Sequence, residues 1–98
     1  MLDQKIKTLL VVAELNNFTK AAESLSLTQP AVSHQISALE DELGVRIFIR
    51  EHGGLKLTTE GEIVVRCAKR MNAMNDKLRD ELLDNERHLT HLRVGITH

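Results

Sequence analysis

Residues 18–44 read FTKAAESLSLTQPAVSHQISALEDELG. The stretch holds two helix-like apolar rhythms with a break between them. Thr19 predicts the N-cap of a short helix that buries Ala21, Ala22 and Leu25. Ser26-Leu27-Thr28 is the break. Thr28 then predicts the cap of a second helix, with Pro30 in its first turn, where a missing N–H costs nothing. Val32, Ile36, Leu39 and Leu43 form its inward stripe, and Gly44 stops it. Two helices joined by so tight a turn form a helix-turn-helix, whose second helix enters a DNA major groove by its N-terminus. The two ends of that helix differ accordingly. Its leading outward positions, Gln29, Pro30, Ser33, His34 and Ser37, are slim or hydrogen-bonding, and none is acidic. Glu40, Asp41 and Glu42 crowd the far end, where phosphates would repel them. Gln29 can pair with adenine through two hydrogen bonds, and Ser33 suits several base edges. Thr28, Thr58 and Thr59 suit phosphates.

Working outward, Ile6, Leu9, Leu10 and Ala13 share one face of a helix over about Asp3–Leu15, which Asn16-Asn17 ends. Val11 and Val12 fall off that face. Beyond Gly44, VRIFIREHGGLKL alternates apolar and polar residues around EHGG, whose glycines permit a hairpin turn. This predicts a two-stranded β-wing carrying Arg50, His52 and Lys56 towards a phosphate or the minor groove. Arg50 has a second, purely structural reading as a surface partner of Glu40 or Asp41. A long helix follows from about Thr59 to about Arg87, opened by a capping box Thr59-x-x-Glu62. At about 1.5 Å per residue it spans roughly 43 Å, too long for so small a domain. Val64, Cys67, Ala68, Met71, Met74, Leu78 and Leu82 make a narrow seam, which favours a second copy of the same helix as partner. Leu92, Val94 and Ile96 alternate as a strand would, and are read as the start of a further domain.

The predicted fold is therefore mainly α: a winged helix-turn-helix of three helices and a two-stranded wing over 1–58, a linker or dimerisation helix over 59–88, and the first strand of an effector-binding domain over 89–98. The chain has 98 residues, 42% hydrophobic and 28% charged, which suits a small folded domain. The net charge is −1. Residues 1–57 carry six cations against seven acids, and 58–98 carry seven of each, so any grip on DNA rests on where the charges sit. No apolar run nears the ~20 residues of a membrane span, and the N-terminus is too polar for a signal peptide. The single cysteine, Cys67, excludes an internal disulfide and fits a reducing cytoplasm. It reads as a small buried residue of the seam.

Enzyme chemistry finds no support. Gly53-Gly54 belongs to a hairpin and not to a phosphate loop, and no nucleophile–base set has supporting spacing. His88 and His91 lack further ligands for a metal, and no cofactor is expected. The reading that competes with DNA binding is a winged-helix protein-interaction module.

AAESLSLTQPAVSHQISALEDELGVRIFIR, followed by LTTEG, resembles the N-terminal region of LysR-type transcriptional regulators over nearly the whole chain, and LRVGIT is similar to the first strand of that family's effector domain. The resemblance implies a cytoplasmic bacterial regulator that dimerises through its linker helices. It implies tetramers when an effector domain is present, and interrupted inverted repeats as DNA targets. By the same resemblance Thr28, Gln29, Pro30, Ser33 and Arg50 map onto DNA-contacting positions, and His34 onto a variable position that tunes sequence choice. A small-molecule effector would act only through the further domain.

Overall fold

The computed structural model describes the backbone of residues 3–97 and the side chains of residues 3–85. The order is α1 (Gln4–Leu15), α2 (Phe18–Leu25), α3 (Gln29–Leu43), β1 (Phe48–Glu51), β2 (Gly54–Leu57) and α4 (Thr59–Thr97). Local chemistry sets each helix boundary. Asp3 caps α1 by accepting the Lys5 N–H at 3.0 Å, and Asn16 ends it in the left-handed conformation, φ 52°. Asn17, not Thr19, caps α2, accepting the Lys20 N–H at 2.9 Å. The earlier start makes Phe18 the first helical residue and sets its ring against Phe48. Thr28 caps α3 through the Ala31 N–H at 3.2 Å, and Gly44 closes it with φ 69°.

Leu9 and Val12 of α1, Ala21 and Ala22 of α2, Val32, Ile36 and Leu39 of α3, Ile47, Phe48, and Val65 and Ala68 of α4 form one core. Each fully buried side chain of the size of Leu9 or Ile47 contributes roughly 2 kcal/mol. Val12 belongs to this core and is 0% exposed, against the sequence expectation. The reason is that α1 packs on α2, α3 and α4 together, so more of its circumference is covered than one stripe. Leu43 departs the other way. It is the last residue of α3, and at 48% exposure it lies beyond the cover of the core.

The wing pairs Phe48 with Leu57, Ile49 with Lys56, Arg50 with Leu55 and Glu51 with Gly54, antiparallel. Its two-residue turn places His52 and Gly53 at φ 53° and 73°. Positive φ at both central residues is the signature of a type I′ turn, which Asn-Gly fits best. Replacing His52→Asn is therefore expected to stabilise the chain by about 0.5 kcal/mol, read as a raised melting temperature. The alternation breaks at Ile47 and Phe48, which are both buried. Ile47 lies before the strand, where the Glu40 carboxylate accepts its N–H at 2.8 Å.

Thr58 rather than Thr59 caps α4. Its Oγ1 accepts the Gly61 N–H at 2.8 Å and donates to the carbonyl of Arg46. The Thr58 N–H reaches the Ile47 carbonyl at 2.9 Å. The helix then runs 39 residues to Thr97, past Arg87 and through the segment 92–96 that alternation marked as a strand. A strand there has no neighbour among the described residues, whereas a helix satisfies its own backbone. The chain measures 68 × 26 × 20 Å with a radius of gyration of 18.6 Å, well above the ~13 Å of a compact domain this size.

Candidate nucleic-acid interface

The N-terminal half of α3 carries Gln29 and Ser33 half-buried, and Pro30, His34 and Ser37 exposed. Phe48 and Arg50 stand two residues apart on β1, so their side chains leave the strand on one face. Phe48 enters the core, and Arg50 emerges at its rim. There Arg50 separates two grooves. One, of about 270 Å³, is walled by Asn17, Thr19, Gln29 and the turn residues Gly53 and Gly54. The other, of about 340 Å³, is walled by Ser33, Ser37, Glu40 and Arg46. The fold thus brings Arg50 of β1 beside Gln29, Ser33 and Ser37 of α3.

The other expected contacts lie apart from this cluster. His52 and Lys56 sit out on the wing, with Nε2 and Nζ 3.8 and 3.7 Å from the Glu51 carboxylate. Thr58 is half-buried, and its hydroxyl both donates and accepts within the protein. Thr28 uses its oxygen as a cap but keeps a hydroxyl proton to donate.

Two of the three carboxylates at the far end of α3 have internal partners. Glu40 holds the Ile47 N–H and lies 3.8 Å from Arg46 Nε. Glu42 pairs with Lys5, and that hydrogen bond raises the Lys5 ammonium above its ordinary pKa. Asp41 has no ion pair among the described residues. Arg50 has none there either, so the surface pairing with Glu40 or Asp41, its second reading, is not formed; Arg46 takes Glu40 instead. The Arg50 guanidinium lies over the ring of Phe18, 5.8 Å from its centroid. Sequence reasoning missed Phe18, Asn17 and Thr19 as walls of this site. The one available signal was that the chain has only two aromatic residues, and these two meet.

On α4, Val65 and Ala68 face the core, and Val64 is half-buried. Met71, Met74 and Leu82 are 46%, 71% and 57% exposed, and Leu78 is half-buried. Cys67, expected to be buried, is exposed in the single chain, because only the Val65–Ala68 side of the helix meets the winged unit. Asn75, between Met71 and Leu78 on the same face, has a buried Oδ1 without a hydrogen-bond partner among the described residues. The described residues contain no cluster of three metal-ligating side chains. The side chains of His88 and His91 lie outside them.

The sequence pattern of the bacterial regulatory helix-turn-helix proteins of the lysR family matches residues 4–62. The HTH-type transcriptional regulator DsdC of Escherichia coli (strain K12) is 44% identical over 80 residues, 82% of this chain and 25% of that protein. The chain thus spans about a quarter of that relative's length. Among solved structures, the CbnR DNA-binding domain in complex with DNA aligns with a TM-score of 0.76 at 33% identity, covering 83% of this chain and 93% of that one. The BenM DNA-binding domain on its benA site 1 DNA gives 0.77 at 32% identity, covering 83% and 91%. By sequence and by fold, the chain belongs to the LysR family of bacterial regulatory helix-turn-helix proteins.

Proposed function

We propose that this chain is the sequence-specific DNA-binding part of a cytoplasmic LysR-type transcriptional regulator, acting as a homodimer on an interrupted inverted repeat. The observation that carries it is the gathering of Gln29, Ser33, Ser37 and Arg50 on one slim face, whose one nearby carboxylate, Glu40, is held by Arg46 and the Ile47 N–H. In this reading α3 enters the major groove, Gln29 and Ser33 read bases, and His34 tunes the choice. Thr28 and Arg50 hold phosphates, and the wing cations His52 and Lys56 lie along the backbone or minor groove. Residues 1–58 form the reading head, and 59–88 the linker helix. Segment 89–98 leads into an effector-binding domain, which fits the much greater length of the curated relatives. Met71, Met74 and Leu82 support the second copy, since they offer a row of exposed apolar side chains. No helix among the described residues is long and apolar enough to cross a membrane.

The test is selection of bound duplexes from a random DNA library. Enrichment of a two-fold interrupted repeat is expected. The competing protein-interaction reading rests only on the near-neutral net charge of −1. Absence of enrichment, together with no salt-dependent DNA binding, would bring that reading forward, because phosphate contacts release counterions. Gln29→Ala is expected to cost about 1–3 kcal/mol and to relax preference at one base position. An unchanged preferred sequence would remove Gln29 from the readout.

A further inference from the structure

We propose that Phe18 is a positioning residue, whose ring holds the Arg50 guanidinium between the two grooves of the reading face. The inference rests on the assignment of Arg50 to DNA above. Three observations carry it. The guanidinium carbon stands over the Phe18 ring, 5.8 Å from the centroid, within the ~6 Å at which a ring face attracts a cation. The platform itself is fixed: Phe18 opens α2 under the Asn17 cap, and its ring makes an edge-to-face pair with buried Phe48, centroids 6.1 Å apart at 72°. Finally, no carboxylate competes for Arg50 among the described residues. Glu40 is occupied by Arg46 and the Ile47 N–H, and Glu51 lies beside His52 and Lys56.

An arginine on an exposed strand has many rotamers and loses that freedom when it grips a phosphate. With Phe18 beneath it, part of the ordering is already done in the free protein. The same ring turns the guanidinium towards α3, where Gln29 lies along one groove and Ser33 along the other. The wing cation is thereby referenced to the reading helix, through a residue that belongs to neither element.

The test is a double-mutant cycle on affinity for a mixed-sequence DNA duplex, with melting temperature measured for every variant. Phe18 is replaced by pentafluorophenylalanine, which keeps the ring's shape and reverses the charge of its face, and separately by Phe18→Leu. Each change is made with and without Arg50→Ala. The fluorinated protein is expected to bind about threefold more weakly, a loss confined to the Arg50 background whatever the altered pairing with Phe48 does to its melting temperature. In the Arg50→Ala background neither Phe18 change should weaken binding further. Wild-type affinity in the fluorinated protein would overturn the inference, and so would equal losses in both backgrounds. If Arg50→Ala weakens binding and lowers the salt slope by about one, the assignment of Arg50 to phosphate stands whatever Phe18 does. If Arg50→Ala changes neither, that assignment falls and the role of Phe18 with it.

Discussion

Gly61→Ala is expected to lower stability by about 3 kcal/mol, although alanine is the better helix former. Gly61 is buried in the first turn of α4. A Cβ added there would stand 2.1 Å from the Ile47 carbonyl oxygen and 2.9 Å from its carbon. The obstacle is backbone and cannot swing aside as a side-chain tip would. That same carbonyl accepts the Thr58 N–H at 2.9 Å, so relieving the clash pulls the wing and α4 apart. For a domain of this size the loss corresponds to a fall of about 15 °C in melting temperature. Gly54→Ala is the control. Its Cβ would meet only the Glu51 carbonyl oxygen, at 3.7 Å, and the change should stay within about 0.5 kcal/mol. A Gly61→Ala protein as stable as the parent would mean that this joint yields at little cost.

Met71→Asp together with Leu78→Asp is expected to abolish the proposed dimer, weakening it by on the order of 4 kcal/mol or more, at least a thousandfold. In the single chain Met71 is 46% exposed and Leu78 half-buried. Neither belongs to the core of the winged unit, so the head should still fold and melt cooperatively. In a dimer on this seam the two changes bring four carboxylates into apolar contact without partners. Sedimentation would report monomers at concentrations where the parent is dimeric. DNA affinity should fall with it, because two heads no longer bind as one unit. A variant that sediments as a dimer would move the interface off this face of α4.

Elements whose signals are local were legible in the sequence. The ends of α3 follow from Thr28, Pro30 and Gly44, none of which needs a distant residue to act. The starts of α2 and α4 were each misplaced, because two capping residues lie close together and the sequence does not rank them. Tertiary contacts decide between them. Phe18 must be helical to reach Phe48, and Thr58 also binds the wing through Arg46. Gly61 was visible as a glycine, but the carbonyl it meets lies fourteen residues earlier in the chain. Of the candidate site, Gln29, Ser33 and Ser37 could be found by helical spacing. Their meeting with Arg50 could not, since the hairpin sets it. The helical course of 92–96 contradicts a true alternation, because a strand needs a neighbour and alternation alone does not supply one.

The joint at Ile47, Thr58 and Gly61 also makes the molecule a lever. With no linker between wing and helix, α4 is an arm of about 58 Å fixed at one end to the reading head. A turn of the head by about 10° carries the far end of that arm through roughly 10 Å. In the reverse direction the ratio works as a reduction gear. A displacement of about 3 Å at the far end re-aims α3 by only about 3°.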